Sequence, residues 1–397
     1  MSVALLWLAV LAAAPPAAAE GPRVFLLDPQ ALELTRSRVR AGDPQLAPAL
    51  ARLRSEAQRA LATGVLSVTT KPATPPSGDK HDYMSQAPYF WPNPDTPNKL
   101  PYVRRDGERN PEILTIADHD ALAELVSATE TLALAYHLFG DDAYAAKAAD
   151  LLRGWFLDPV LCMNPHLQYG QAIPGLSEGR GIGIIDTAGL PRLVDAAGLL
   201  AGSRAWSVED QQGLALWFEH YLNWLRESGH GREEGAATNN HGTYYDAQVA
   251  SLALFLGRQE LAAQVLTESC RKRIAAQIEP DGRQPRELER TRAWSYSVMN
   301  LRGLFWLAAL GERCGVDVWG YQTTDGRSLR KALEWLAPFA AGKPWPHPQI
   351  GTWSPKDLAP LLRQAAVHYR ERRFEELIAG SAALAPDDRV QLTHPAR

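Results

Sequence analysis

Four apolar stretches of this chain end in the same way: His-Leu-Phe-Gly140, Leu-Leu-Ala-Gly202, Leu-Phe-Leu-Gly257 and Ala-Ala-Leu-Gly311. A glycine just past a helix supplies the left-handed cap that residues with a Cβ resist. The stops recur about every 55 to 60 residues, which is room for two helices and their turns. Apolar residues also return at three- and four-residue steps over 121–139, 143–156, 188–200, 210–225, 247–256, 261–278, 293–310, 329–339 and 358–369. A chain patterned this way has to pair its helices. The expected fold class is all-α: an (α/α) toroid of helical hairpins, an incomplete barrel with long loops on one rim over a central cleft or tunnel. A helix over Pro44–Thr63 opens the ordered part, no strands are expected, and residues 20–397 read as a single domain.

Residues 1–19 form an apolar run closing on Ala17-Ala18-Ala19, read as a signal peptide cleaved before Glu20. The expected location is therefore periplasmic or secreted. No later stretch is long and apolar enough to span a membrane. The net charge of -4 carries no polyanion signature, so nucleic acid is not an expected partner, and an anionic ligand would need a local cluster of positive charge. The cysteines Cys162, Cys270 and Cys314 have no metal-ligand spacing and allow one disulfide or three thiols.

Three irregular inserts interrupt the helices. The first, 79–112, carries His81-Asp82-Tyr83, Pro88-Tyr89-Phe90-Trp91-Pro92 and Tyr102-Val103-Arg104-Arg105-Asp106-Gly107 among prolines that exclude regular helix. Long loops rich in aromatics are more often ordered covers of a site than disordered linkers. The second holds Asn164-Pro165-His166-Leu167-Gln168 and Gly179-Arg180-Gly181-Ile182-Gly183. Its glycines lack the strand and register of a nucleotide loop and fit a backbone passing close to a ligand or another helix. The third is Lys343-Pro344-Trp345-Pro346-His347-Pro348-Gln349-Ile350.

Two clusters carry the chemistry. Thr238-Asn239-Asn240-His241 precedes a helical run, and an asparagine pair there serves either as a helix cap or as a set of functional donors. Downstream, Arg290, Arg292 and Tyr296 fall within one segment, with Arg292 and Tyr296 one helical turn apart; Glu287 and Glu289 are possible surface partners for the arginines. An amide, an imidazole, arginines and a phenol suit a carboxylated sugar. In β-elimination a base removes the C5 proton of a uronate and the C4 oxygen leaves. The adjacent carboxylate must first be neutralised, by a metal or by preorganised donors. Tyrosine needs cationic neighbours to act as that base near neutral pH, and Arg290 and Arg292 are the candidates. In β-linked mannuronate or glucuronate the C5 hydrogen and the C4 oxygen lie on the same side, so one phenol can serve both.

Taken together, His81-Asp82-Tyr83, Ala87 through Pro92, Tyr102 through Gly107, Asn164-Pro165-His166 with Gly179 through Gly183, Asn239-Asn240-His241 and the 290–296 cluster resemble the alginate lyase superfamily, over about Asp79 to Ile350. The resemblance implies a toroid-fold polysaccharide lyase that takes an anionic polysaccharide and needs no metal or other cofactor. It implies that Asn240 and His241 contact the substrate carboxylate and that Tyr296 is base and acid, assisted by an arginine. Poly-mannuronate lyases place that arginine seven residues before the tyrosine. Here Glu289 holds the position, leaving Arg290 or Arg292 for the task. Further sugar- or carboxylate-gripping candidates are His81, Tyr83, Tyr89, Trp91, Arg104, Arg105, His166, Gln168 and Arg180. Two other readings stay open: a glycoside hydrolase using Asp118 or Asp120 with Asp186 or Asp246, and a polyuronate-binding protein without catalysis.

Overall fold

The computed structural model describes residues 22–380 and 384–396; the leader read over residues 1–19 lies outside them. The helices are α1 (Pro29–Arg40), α2 (Ala47–Leu61), α3 (Asp118–Phe139), α4 (Asp142–Phe156), α5 (Leu190–Leu200), α6 (Val208–Glu227), α7 (Gly229–Gly235) and α8 (Asn240–Phe255). They continue with α9 (Gln259–Ser269), α10 (Pro285–Leu288), α11 (Ala293–Glu312), α12 (Leu329–Ala340), α13 (Ala359–Tyr369), α14 (Arg372–Gly380) and α15 (Val390–Thr393). None of the described helices is long and apolar enough to cross a membrane.

Composition decides which helices go inside. In α3, α8 and α11 buried residues occur on every side, as in Leu125, Leu132 and Ala135 or Leu252, Leu254 and Phe255. A helix without a polar face must be surrounded. Accordingly α3 packs on α2, α4 and α5, while α8 packs on α5, α6, α9 and α11. The succession α3, α5, α8, α11 forms the inner layer, with α4, α6 and α9 outside it. The expected helical toroid is the observed architecture.

The connections then sort themselves. Chains leaving the inner layer bend at Gly140, Gly202, Gly257 and Gly315, all with φ between 72° and 83°, and after α3, α5 and α8 the turn is short. Gly311, expected to be such a stop, instead lies inside α11; a Cβ there would meet the Val316 carbonyl at 2.4 Å, because the chain folds back over it. Connections entering the inner layer are long: 62–117 before α3, 157–189 before α5, 228–239 before α8 and 270–292 before α11. All therefore gather on the rim where the inner helices begin.

Short strands occur there against expectation. β1 (Met84–Gln86) runs parallel to β4 (Tyr169–Ala172), and β2 (Phe90–Trp91) antiparallel to β3 (Val103–Arg104). Segments this short cannot display an alternating pattern. The segment expected as one helix over 261–278 breaks after α9 into a π turn, Cys270–Ala275. That turn delivers Arg273 to Asp246 of α8, a buried ion pair at 2.8 Å. All three cysteines are thiols.

Candidate active site

Both α8 and α11 enter the inner layer from the insert rim and pack along each other. Their first turns thus stand side by side. Asn240 opens α8, His241 follows it, and the Tyr296 amide closes the first turn of α11 by donating to the Arg292 carbonyl at 3.0 Å. With Tyr89 from the first insert these residues line a cleft of about 750 Å³.

Each side chain is held by a partner. Asn240 is almost fully buried; its Nδ2 donates to Glu287 Oε2 at 2.8 Å and Oε1 at 3.1 Å, and its backbone N–H donates to Oε1 at 2.7 Å. The His241 Nδ1 stands 2.7 Å from the buried Glu234 carboxylate at the end of α7, which leaves Nε2 for the cleft. The Tyr296 and Tyr89 hydroxyls are 2.7 Å apart. The Arg290 guanidinium lies 3.8 Å from the centre of the Tyr296 ring and is anchored by Asp106 at 2.9 Å. Asp106 also accepts from the Thr291 amide, and although burial works to raise its pKa, these partners hold it well below the usual carboxylate range. Gly107 is required here: its φ is +77°, and a Cβ would come within 2.3 Å of Thr291 Oγ1.

Burial, followed by the hydrogen bond with Tyr89, pushes the Tyr296 phenol above its ordinary pKa, while Arg290 pulls it down. The sequence alone led to the opposite expectation, a phenol lowered by cationic neighbours. Arg290 is largely neutralised by Asp106, and desolvation wins.

The arginines divide. Arg290 lies on the Tyr296 ring. Arg292 also lines the cleft, and its buried Nε has no hydrogen-bond partner among the described residues. Glu289 is exposed and away from the cleft. Arg180 lines it too, donating to Gln171 and lying 5.2 Å from the Phe90 ring. Counting Arg104 and Arg109, five arginines line the cleft against one carboxylate, Asp186. This is the local positive cluster that an anionic ligand requires in a chain of negative net charge.

Six candidates from the inserts stand in the scaffold behind or beside the cleft instead. The His81 Nδ1 is 2.6 Å from the Cys162 carbonyl, and His166 Nε2 is 3.0 Å from Asp82, so that motif clasps the first insert to the second. Tyr83 is fully buried and donates to Asp186 at 3.0 Å. Trp91 donates to the Glu108 carbonyl, with Arg105 lying 5.2 Å from its ring, and Gln168 lies against His230 of α7. The Gly179–Gly183 run lets backbones cross: a Cβ on Gly183 would meet Gly170 at 2.5 Å, and one on Gly179 the Gln168 carbonyl at 2.0 Å. Residues that the sequence did not flag are Glu234, Arg109 and His119, and Asp106 was noted only as part of a motif.

The carboxylates considered for hydrolysis are held by other partners or stand outside the cleft. Asp118 is buried against Lys71 at 3.0 Å, and burial raises it to about 6. Asp246 is paired with Arg273. Asp120 lines a side recess of about 40 Å³ with Asp186, which also reaches the cleft wall and accepts hydrogen bonds from Tyr83, Ser85 and Gln171. A separate cavity of about 500 Å³ opens among the C-terminal halves of α3, α5 and α11, with Glu130 paired to Arg192 and Arg389, and Glu312 to His368.

Known proteins place this architecture. The family model described as Alginate lyase matches residues 67–346. The crystal structure of an alginate lyase from Bacteroides ovatus is 38% identical and superposes with a TM-score of 0.90, covering 94% of this chain and 99% of its own. Alginate lyase A1-III from Sphingomonas species A1 shares the fold at 15% identity and TM-score 0.59, over 96% of this chain and 100% of its own. A variant of A1-III complexed with a tetrasaccharide aligns at 16% identity and TM-score 0.60, over 96% and 98%. No curated protein matches the sequence. With the family pattern spanning more than half its length, this chain belongs to the alginate lyase family of polysaccharide lyases.

Proposed function

We propose that the protein cleaves a β-1,4-linked polyuronate, either the poly-mannuronate of alginate or glucuronan, by β-elimination without a metal. The observation that carries this reading is the convergence of Asn240, His241 and Tyr296 on one wall of an arginine-rich cleft. A uronate carboxylate held by the Asn240 amide and the His241 imidazole loses enough negative character for its C5 proton to become removable. The Glu234 carboxylate, 2.7 Å from Nδ1, fixes the His241 ring with Nε2 toward the cleft. Arg292, on the same wall of the cleft, suits the same or the neighbouring carboxylate.

Tyr296 takes the C5 proton as a phenolate. The negative oxygen is stabilised by Arg290 over the ring and by the Tyr89 hydroxyl, which donates to it. The C5–H electrons form the C4=C5 double bond, the C4–O4 bond breaks, and the proton returns from Tyr296 to O4. The products are a new alcohol end and a 4,5-unsaturated uronate. One fixed phenol reaches both C5–H and O4 only when they lie on the same face, which mannuronate and glucuronate satisfy.

Incubation with poly-mannuronate, glucuronan and poly-guluronate, followed by ultraviolet absorbance, tests this. Absorbance is expected to rise with one or both of the first two and to stay unchanged by chelator. New reducing ends without absorbance would establish hydrolysis, unchanged chain length would leave binding alone, and loss with chelator restored by a divalent cation would overturn the organic-donor mechanism.

A further inference from the structure

The side recess of about 40 Å³ has no part in the chemistry above. It adjoins the cleft, since Arg109 and Asp186 belong to the walls of both. Its other walls include Gln86 at the end of β1, then Pro88, Ile113, and Asp120 in the first turn of α3. None of its walls comes from α8 or α11, which carry Asn240, His241 and Tyr296. The recess therefore flanks a sugar next to the one being cut.

Size, charge and unfilled bonding narrow what enters it. A space of about 40 Å³ has room for about three water-sized groups, which admits a substituent of a sugar and excludes a sugar ring. The carboxylates of Asp120 and Asp186 face one arginine here, whereas in the cleft five arginines face one carboxylate. A uronate carboxylate is thus drawn to the cleft, and the recess suits a neutral group. Asp186 is already supplied with donors by Tyr83, Ser85 and Gln171. The Gln86 Nε2, by contrast, is buried with no hydrogen-bond partner among the described residues. A buried donor left unpaired is costly, so the entering group should bring an acceptor oxygen. Pro88 and Ile113 offer the same group an apolar side.

We propose that the recess receives an O-acetyl group carried by the polyuronate. Its carbonyl oxygen accepts from Gln86 Nε2 and its methyl lies against Pro88 and Ile113. The ester is recognised and stays on the sugar. The proposal rests on the lyase reading above and deepens it, naming acetylated polyuronate as the substrate class.

O-acetylated poly-mannuronate and the same sample after saponification are the two substrates of the test. The quantity read is the ratio of kcat/KM on the first to kcat/KM on the second, which cancels any general loss of activity in a variant. For the wild type a ratio of about tenfold is expected, the scale of one buried methyl group and one hydrogen bond. Gln86→Leu should lower it to about fourfold, the share of the methyl group. Ile113→Trp, which fills the recess, should lower it to one or below. A wild-type ratio of one or less, the result for a recess that holds only water, overturns the proposal. So does a ratio that neither variant lowers, and Gln86→Leu alone decides if Ile113→Trp does not fold. Absence of ultraviolet-absorbing product from both polymers defeats the lyase reading instead, and the ratio is then read from calorimetric affinities for the two samples.

Discussion

Replacing Tyr296 by phenylalanine should leave the protein folded and lower turnover by about 10³-fold or more, the scale on which a positioned acid-base group contributes. Among the described residues the hydroxyl is bonded to Tyr89 alone, so its loss should cost stability only about 1 kcal/mol. The aromatic ring stays as the platform under Arg290. Because burial holds the phenol above its ordinary pKa, the reactive phenolate is scarce at neutral pH. The wild-type kcat should therefore climb with pH into the alkaline range. Steady-state rates on poly-mannuronate or glucuronan, with circular dichroism to verify folding, decide the matter. A Tyr296→Phe enzyme within tenfold of wild type would remove this phenol from the chemistry.

The second large effect is on stability. Arg273→Ala should destabilise the protein by about 3 to 5 kcal/mol, the cost of stranding a buried carboxylate. The Arg273 guanidinium binds Asp246 through Nε at 2.8 Å and Nη2 at 3.0 Å, and also donates to the Gly235 and Ala237 carbonyls between α7 and α8. Its removal frees both carbonyls and leaves Asp246, at 7% exposure, with the Ser269 hydroxyl at 2.8 Å but no positive charge to balance it. Since α7 carries Glu234 and α8 carries Asn240 and His241, activity should decline with stability. Denaturant unfolding measures the first effect; a change under about 1 kcal/mol would show that the pair is not compensated in this way.

What the sequence revealed, and what it hid, follows from periodicity. The inner helices were visible because long apolar runs have few alternatives, and the pairing of Asn240-His241 with Tyr296 was visible because both open such runs. Gly140, Gly202 and Gly257 marked real turns; Gly311 did not, since close packing can require a glycine as readily as a left-handed bend. In the inserts the backbone has no period to fix which side chains face inward. His81, Tyr83 and His166 thus looked like sugar ligands while serving as clasps, and Arg109 and His119 went unnoticed on the cleft wall. Glu234 was hidden in Gly-His-Gly-Arg-Glu-Glu-Gly, a short glycine-rich helix with no apolar stripe. Glu287 was seen only as a surface partner for arginine, yet it is buried behind Asn240. A residue's role at such a site depends on which neighbour desolvates it, and chain spacing does not record that.

The most direct test is a crystal structure of Tyr296→Phe enzyme soaked with a mannuronate tetrasaccharide. The account predicts one uronate carboxylate about 3 Å from both the Asn240 amide and His241 Nε2, with its C5 hydrogen and O4 turned toward the position of the missing hydroxyl. A chain lying in the cleft with every carboxylate on the arginines and none on Asn240 and His241 would contradict it.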